Sequence, residues 1–448
     1  MASRPENVTE RDLASVIQPV ILGADYSAYA YVRAFREAYG ARPIICASFD
    51  VKSISRTRFA DYRVVEGIDE PEVLLATLRE MGEELCSAGR LPFLVTCGDF
   101  YARIVSQHKA ELERWFYTPV VDFAVLDLVT QKENFYRVCD EVGVAYPRTR
   151  FLDCSDPSAE ADDSGFTYPL VAKPSNSAAY HYAEFEGKKK VFYVDEPAEL
   201  RRIFDALKRS CYDESLIVQE YVGGGDSHMH AVYLYADERS DVSFCVCGHV
   251  GLEDHAPGAI GNAVAMAGEK NPELEEAAAH FVKRVGYHGM GTFDAKWDER
   301  TGTYKFLEMN ARPGRSSWIV LLAGVNFARV QVEDVVLGRR PERVEPSAEW
   351  VYVAAPRQVI ERCMPAGRSG TASSPPSASA GRALPSTGAA GATRSPSASG
   401  PTSTSTTRSR SSRGTCRTGT PRERARAPGR PRARVRPRGA HPRRAGGP

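Results

Sequence analysis

Two stretches near residue 300 put carboxylates where chemistry can use them. "MGTFDAKWDERTGTYKFLEMN" reads as two strands joined around "DERTGT". Antiparallel pairing about that turn brings Asp294 nearly opposite Glu308, with Cβ atoms about 5 Å apart. Like charges so placed repel unless a cation compensates them. Strict alternation assigns Phe306, Glu308 and Asn310 to one face of the second strand, and Lys305, Leu307 and Met309 to the other. Asp294, Glu308 and Asn310 thus form a set of three hard oxygen ligands, suited to Mg²⁺ or its substitute Mn²⁺. Taken alone, a carboxylate pair on a hairpin is an ordinary solvated feature. Its company decides.

That company begins with lysines. "LVAKPS" ends an apolar strand on Lys173, stopped by Pro174; a lysine there snorkels to water or meets an anion. "TQKE" reads as a capping box, with Thr130 as N-cap and Glu133 three residues on. It leaves Lys132 in a first turn, where the helix dipole disfavours a cation. Lys132 is either a solvated lysine or one with an anionic partner. "SNSAAYHYAEFEGKKK" is polar and suits a lid over phosphates. In "LIVQEYVGGGD", exposed backbone at Glu220, Tyr221 and Val222 suits an adenine edge, and Asp226 suits ribose hydroxyls. The three glycines by themselves mean only a flexible turn. Arg315, Ser316 and Ser317 follow the metal strand at a helix start, where N–H groups suit a substrate carboxylate; N-capping by Ser316 is the simpler reading. His228 and His230 fall on one strand face and His255 in a loop. None has an identifiable partner, so none is assigned as a base.

The elements that must position these groups fall into two kinds. Residues 19–128 alternate buried strands ("PVILGA", "RPIICAS", "PFLVTCGD") with helices, the rhythm of a parallel α/β sheet. "GADYSA" after the first strand lacks GxGxxG, which argues against a dinucleotide turn. Residues 129–340 mix strands with helices in an α+β pattern, closed by one helix over "SSWIVLLAGVNFARVQVEDVVLG". Residues 341–365 begin a further element with "WVYVAAPRQVI". From Ala366 onward, 17 arginines and no lysine stand against one acidic residue, Glu423. The last 83 residues therefore carry +16 and residues 1–365 carry −15. An acidic folded part disfavours nucleic acid as its partner. The tail has no Phe, Trp, Tyr or Ile, so it is expected to be disordered. An out-of-frame reading of GC-rich sequence accounts for a basic tail without lysine; a tail for nucleic acid or anionic membrane is the other reading. Ten cysteines include no CxxC, and Cys245 and Cys247 read as core packing. With no signal-like or 18-residue apolar run, a cytoplasmic protein without a membrane span is expected. Nothing in the residues sets an oligomeric state.

In chain order, Lys132, Lys173, the "QEYV" hinge, Asp226, Asp294, Glu308 and Asn310 resemble the ATP-grasp superfamily over residues 19–340. "FDAKWD" and "FLEMNARPG" stand at the separation that superfamily uses. The resemblance implies an N-terminal α/β domain followed by two α+β subdomains that grip ATP. It implies that Lys132 and Lys173 contact phosphates, that Glu220, Tyr221 and Val222 form the adenine hinge, and that Asp226 binds ribose. Asp294, Glu308 and Asn310 become magnesium ligands, and Arg312 lies near the transferred phosphate or acyl group, acting with Lys173. One departure is that the lid lacks a glycine-rich phosphate loop. "TQKENFYRVCDEVGVAYP", "KPSNSAAYHYAEFEGKKKVF" and "VQEYVGGGDSHMH" are similar to the D-aspartate ligases of peptidoglycan cross-bridge synthesis. That similarity implies a small amino-acid substrate, a peptidoglycan precursor as acceptor and an acylphosphate intermediate. A ligase for another amino acid or peptide, and a non-catalytic ATP-binding protein, are the alternatives.

Overall fold

The computed structural model describes residues 10–175, 180, 182–189, 191–256, 259 and 261–363. The expected tail from 366 on, and residues 176–179, 181 and 190 of the expected lid, lie outside the described residues.

Strands β1 (Ile17–Leu22), β2 (Ile44–Ala47), β3 (Asp61–Val64) and β4 (Leu91–Thr96) form a parallel sheet in the order β3-β2-β1-β4. β1 is apolar on both faces because both are covered. Ile17 and Ile21 join the core under the helix Tyr26–Tyr39, and Val20 and Leu22 join the core under the helix Pro71–Ser87. The chain leaves β1 toward β2 on one side and returns to β4 on the other. The carboxyl ends of β1 and β4 therefore flank the switch point of the sheet, the crevice where α/β sheets hold ligands.

A second, antiparallel sheet of β5 (Thr149–Asp153), β6 (Leu170–Pro174), β7 (Phe192–Val194) and β8 (Ser215–Glu220) has the order β5-β8-β6-β7. The helix Pro197–Lys208 buries Leu200, Ile203, Phe204 and Leu207 in its core. The third sheet is the largest. It contains β9 (Met229–Ala236), β10 (Val242–Glu253), β11 (Ala263–Glu269), β12 (Gly289–Asp298), β13 (Thr303–Asn310) and β14 (Val351–Val353), in the order β13-β12-β9-β10-β11-β14. One face packs on the helices Lys132–Val142 and Pro272–Val285. Tyr233 and Tyr235 of the other face pack into a core shared with the helices Tyr26–Tyr39 and Phe327–Val335. The α/β-then-α+β order expected from the sequence is the one observed.

Three local expectations are corrected. Thr130 is not an N-cap: the apolar run from Phe123 continues the preceding helix through it, and its hydroxyl donates to Leu126 O at 2.8 Å. Gln131 takes the N-cap position without a side-chain bond. The closing helix is two helices, Trp318–Leu322 and Phe327–Val335. They are parted by Gly324 at φ 86° and by Asn326, whose side chain accepts from Arg329 N at 3.2 Å. His228 lies in the 3₁₀ turn Asp226–His228, so it shares no strand face with His230. Cys245 and Cys247 are buried in the core, as expected. Among the described residues no helix is long and apolar enough to cross a membrane.

Candidate active site

The hairpin of β12 and β13 pairs Phe293 with Met309 and Asp294 with Glu308, and then Ala295 with Phe306. Leu307 has no partner; it is a β-bulge. One extra residue shifts the alternation, so Phe306 and Met309 both enter the core beside Phe293 and Ala295. Glu308 and Asn310 turn away from that core toward Asp294. This overturns the single face expected for Phe306, Glu308 and Asn310, because the bulge sends Phe306 into the core and the two polar side chains away from it. The bulge is held from the Lys132–Val142 helix, where Tyr136 Oη donates to Leu307 O at 3.0 Å. Phe306 N donates to Ala145 O at 2.8 Å.

Asp294, Glu308 and Asn310 line a cavity of about 480 Å³ together with Lys132, Lys173, Arg312, Arg315 and Ser316. Lys132 Nζ donates to Glu308 Oε2 at 2.8 Å. Burial pushes the Glu308 carboxyl up, but the charge and hydrogen bond of Lys132 outweigh it and leave Glu308 below the usual carboxylate range. Asp294 has no such cation. Its hydrogen-bond partner is Asn310 Nδ2 at 3.4 Å, and burial, followed by the charge of Glu308, pushes its carboxyl up to about 7. Lys173 is pushed down to about 8, by burial first and by the charge of Lys132 second. A half-buried carboxylate short of positive charge and a half-buried ammonium short of negative charge thus share one cavity. The donor set fits a hard divalent cation at Asp294, Glu308 and Asn310, and phosphate at the lysines.

The hinge is less open than its sequence suggests. Glu220 N donates to Arg148 O at 2.9 Å and Tyr221 N to Pro169 O at 3.1 Å, because backbone pairing of β8 with its neighbours runs on to Tyr221. Of the three N–H groups expected at the adenine edge, that of Val222 makes no hydrogen bond among the described residues. The Glu220 carboxylate is occupied by Arg300 Nη2 at 2.7 Å and Thr167 N at 2.9 Å. Asp226 Oδ2 accepts from Glu253 N at 2.9 Å and is 2.8 Å from His255 Nε2. The histidines brace this region. His230 stacks on His249 with ring centroids 4.7 Å apart and meets Glu269 at 3.0 Å, while His249 Nε2 lies 2.7 Å from Ser227 O.

Two acidic residues that the sequence did not single out bear on the cavity, Asp25 by lining it and Asp99 by holding Arg312. Asp99 grips Arg312 in a fork, Oδ1 to Nε at 2.8 Å and Oδ2 to Nη2 at 3.0 Å. Asp25 lines the same cavity as Gly98 and Arg312. Both follow a glycine at the carboxyl ends of β4 and β1, in "TCGD" and "LGAD", so the switch-point rule is the signal that finds them. Gly314 is required by contact, since a Cβ there would stand 2.7 Å from the Tyr233 ring. Arg315 lies over the Tyr26 ring at 4.8 Å. Ser316 reaches the cavity, whereas Ser317 is fully buried at the N-cap of Trp318–Leu322 and its hydroxyl caps nothing.

The D-aspartate ligase of Enterococcus faecium (strain Aus0004) is 34% identical to this chain over 327 residues, covering 72% of the chain and 77% of that protein. The chain belongs to the ATP-grasp ligases, in the D-aspartate ligase family. Residues 259–335 of the ligase match the carbamoyl-phosphate synthase L chain, ATP binding domain. The carbamoyl phosphate synthase large chain of Beutenbergia cavernae is 24% identical over 382 residues, 78% of the ligase but 32% of that protein. One similar solved structure is the biotin carboxylase domain of Hydrogenobacter thermophilus 2-oxoglutarate carboxylase with MgADP, ADP and bicarbonate. It superposes with a TM-score of 0.54 at 16% identity, over 74% of the ligase and 72% of that chain. N5-carboxyaminoimidazole synthetase from Staphylococcus aureus gives 0.53 at 11% identity, over 75% and 80%. At such identities these structures speak for the fold, which is ATP-grasp. The ligase is an ADP-forming carboxylate–amine ligase.

Proposed function

We propose that the ligase joins the β-carboxylate of D-aspartate to the ε-amine of lysine in a peptidoglycan precursor, through an acylphosphate. The observation that carries this reading is the convergence of Asp294, Glu308, Asn310, Lys132, Lys173 and Arg312 on one cavity in a chain 34% identical to a D-aspartate ligase.

Asp294, Glu308 and Asn310 hold Mg²⁺, which when bound supplies charge neutralisation on the phosphates. Lys132 and Lys173 hold the phosphates themselves, Lys173 regaining its full charge as it gains an anion. Val222, with Glu220 and Tyr221, frames adenine, and Asp226 takes ribose through its remaining oxygen. An oxygen of the substrate β-carboxylate attacks the γ-phosphorus, and ADP leaves with the bridging oxygen and its electron pair. The lysine amine then attacks the acyl carbon. A tetrahedral oxyanion forms, phosphate leaves, and the amine proton passes to solvent or phosphate. Arg312, aimed by Asp99, stabilises that oxyanion. Arg315 and Ser316 hold the second carboxylate of the substrate, with Ser317 one residue behind at the helix start.

ADP release measured across D- and L-amino acids, with and without a lysine-containing peptide acceptor, tests the reading. D-aspartate should give the highest rate. A clear preference for another acid would leave the ligase class and remove the specific substrate.

A further inference from the structure

We propose that Asp25, from the N-terminal sheet, binds the α-ammonium of the amino-acid acyl donor. The inference deepens the reading above and rests on it. Its basis is the charge inventory of the cavity wall at the switch point.

Lys132 is paired with Glu308, and Arg312 with Asp99. Lys173, Asp294 and Asn310 belong with nucleotide and metal. Glu253 faces Asp226, His255 and Lys296 at the ribose end. What remains on the wall beyond Arg312 is one carboxylate, Asp25, and one guanidinium, Arg315, neither in an ion pair among the described residues. An amino-acid zwitterion presents the complement: one ammonium and one α-carboxylate. Arg315 lies over the ring of Tyr26, the residue after Asp25, so the two charges are fixed on the same wall.

The alternative role for Asp25 is local. Its Oδ1 caps the helix Tyr26–Tyr39, accepting from Ser27 N at 2.9 Å and Ala28 N at 3.1 Å, and it also accepts from the Ser27 hydroxyl. Oδ2 takes no part in the cap and makes no hydrogen bond among the described residues. Capping requires an acceptor oxygen and not a charge, and asparagine caps as well as aspartate. The charge on Asp25 is therefore not needed for the cap; it acts on Arg312, which Asp99 already holds in a fork, and is open to a further cation.

Asp25→Asn separates the two roles, because it keeps the cap and removes the charge. Calorimetric titration in the presence of MgADP compares D-aspartate with succinate, the same diacid without the ammonium. The parent should bind D-aspartate about 10- to 100-fold more tightly than succinate, the range of a charge-assisted hydrogen bond. In Asp25→Asn the ratio should fall to about threefold or less, with the melting temperature unchanged. Equal weakening of both ligands would overturn the proposal in favour of a structural role. A parental ratio retained in the variant, or no preference for D-aspartate in the parent, would also overturn it. Should another amino acid outperform D-aspartate in the activity panel, the substrate reading fails separately. The same comparison, made with that amino acid and its deamino analogue, then decides the role of Asp25.

Discussion

Glu308→Gln isolates the metal assignment from the fold. The side chain keeps its length and its acceptor oxygen, so Lys132 Nζ, now 2.8 Å from Oε2, retains a hydrogen bond and loses an ion pair. The Glu308 side chain is 44% exposed and Lys132 26%, so solvent screens the pair. Its loss should cost about 1 kcal/mol or less and shift the melting temperature by about 2 °C or less. Catalysis should respond on another scale. Glu308 is one of two carboxylates opposed across the hairpin, and the other, Asp294, is pushed up to about 7 by burial and by the charge of Glu308. Removing one ligand charge from such a site should lower kcat about 10³-fold, roughly 4 kcal/mol in the barrier. It should also raise the Mg²⁺ concentration needed for half-maximal rate, with KM for ATP within a few-fold because Lys132 and Lys173 remain. A coupled assay of ADP release against Mg²⁺ concentration measures both quantities. Parental kcat with an unchanged Mg²⁺ requirement would show that Glu308 serves only to hold Lys132, and the metal site would lie elsewhere.

Two further predictions follow from the same cavity. Asp99→Ala should lower kcat about 10- to 100-fold by freeing the Arg312 guanidinium, while costing less than about 1 kcal/mol of stability, since Asp99 is 69% exposed; a kcat within twofold of the parent would show that Arg312 needs no anchor. Lys173, held down to about 8 by burial and by Lys132, should lose its charge in the free enzyme above that pH. KM for ATP should therefore be flat below pH 7.5 and rise above pH 8, and Lys173→Arg should abolish the rise; the same rise in that variant would assign it to another group. The stability effect has the opposite sense. Between pH 8 and 10.5 the unfolded chain holds the proton that the folded chain has released, so the free protein should gain stability as pH rises through that window.

What the sequence makes legible here is set by range. Residue types within one hairpin suffice to bring Asp294 and Glu308 near each other across the turn "DERTGT", but the register of that turn would oppose Asp294 to Leu307, and the bulge is what sets it opposite Glu308. The rhythm of buried strands and amphipathic helices suffices for a parallel sheet before residue 128 and an α+β region after it. The bulge at Leu307 is not legible in the same way. It depends on Tyr136 and Ala145, more than 160 residues upstream, accepting the irregular backbone, and nothing inside "TYKFLEMN" announces an extra residue. The capping box fails for a related reason. "TQKE" satisfies a local rule, but the apolar face of Phe123–Thr130 has a core to fill, with Leu126 and Val129 buried in it. Tertiary burial outweighs a cap of about 1 kcal/mol. The division of the last helix was written in "AGVN", where a glycine and a capping asparagine stand together, and the long apolar run around them masked the signal. Asp25 and Asp99 sit between these cases. Neither belongs to a motif, and each looks like an ordinary acid after a strand. Only the strand order makes them neighbours at one crevice, on a cavity wall where Asp25 and Arg315 are in no ion pair among the described residues. A motif-based reading of this family will therefore recover the nucleotide and metal end of the site first. The carboxylate proposed for the ammonium of the acyl donor lies on the N-terminal sheet, where topology and not spacing brings it to the cavity that Arg315 also lines.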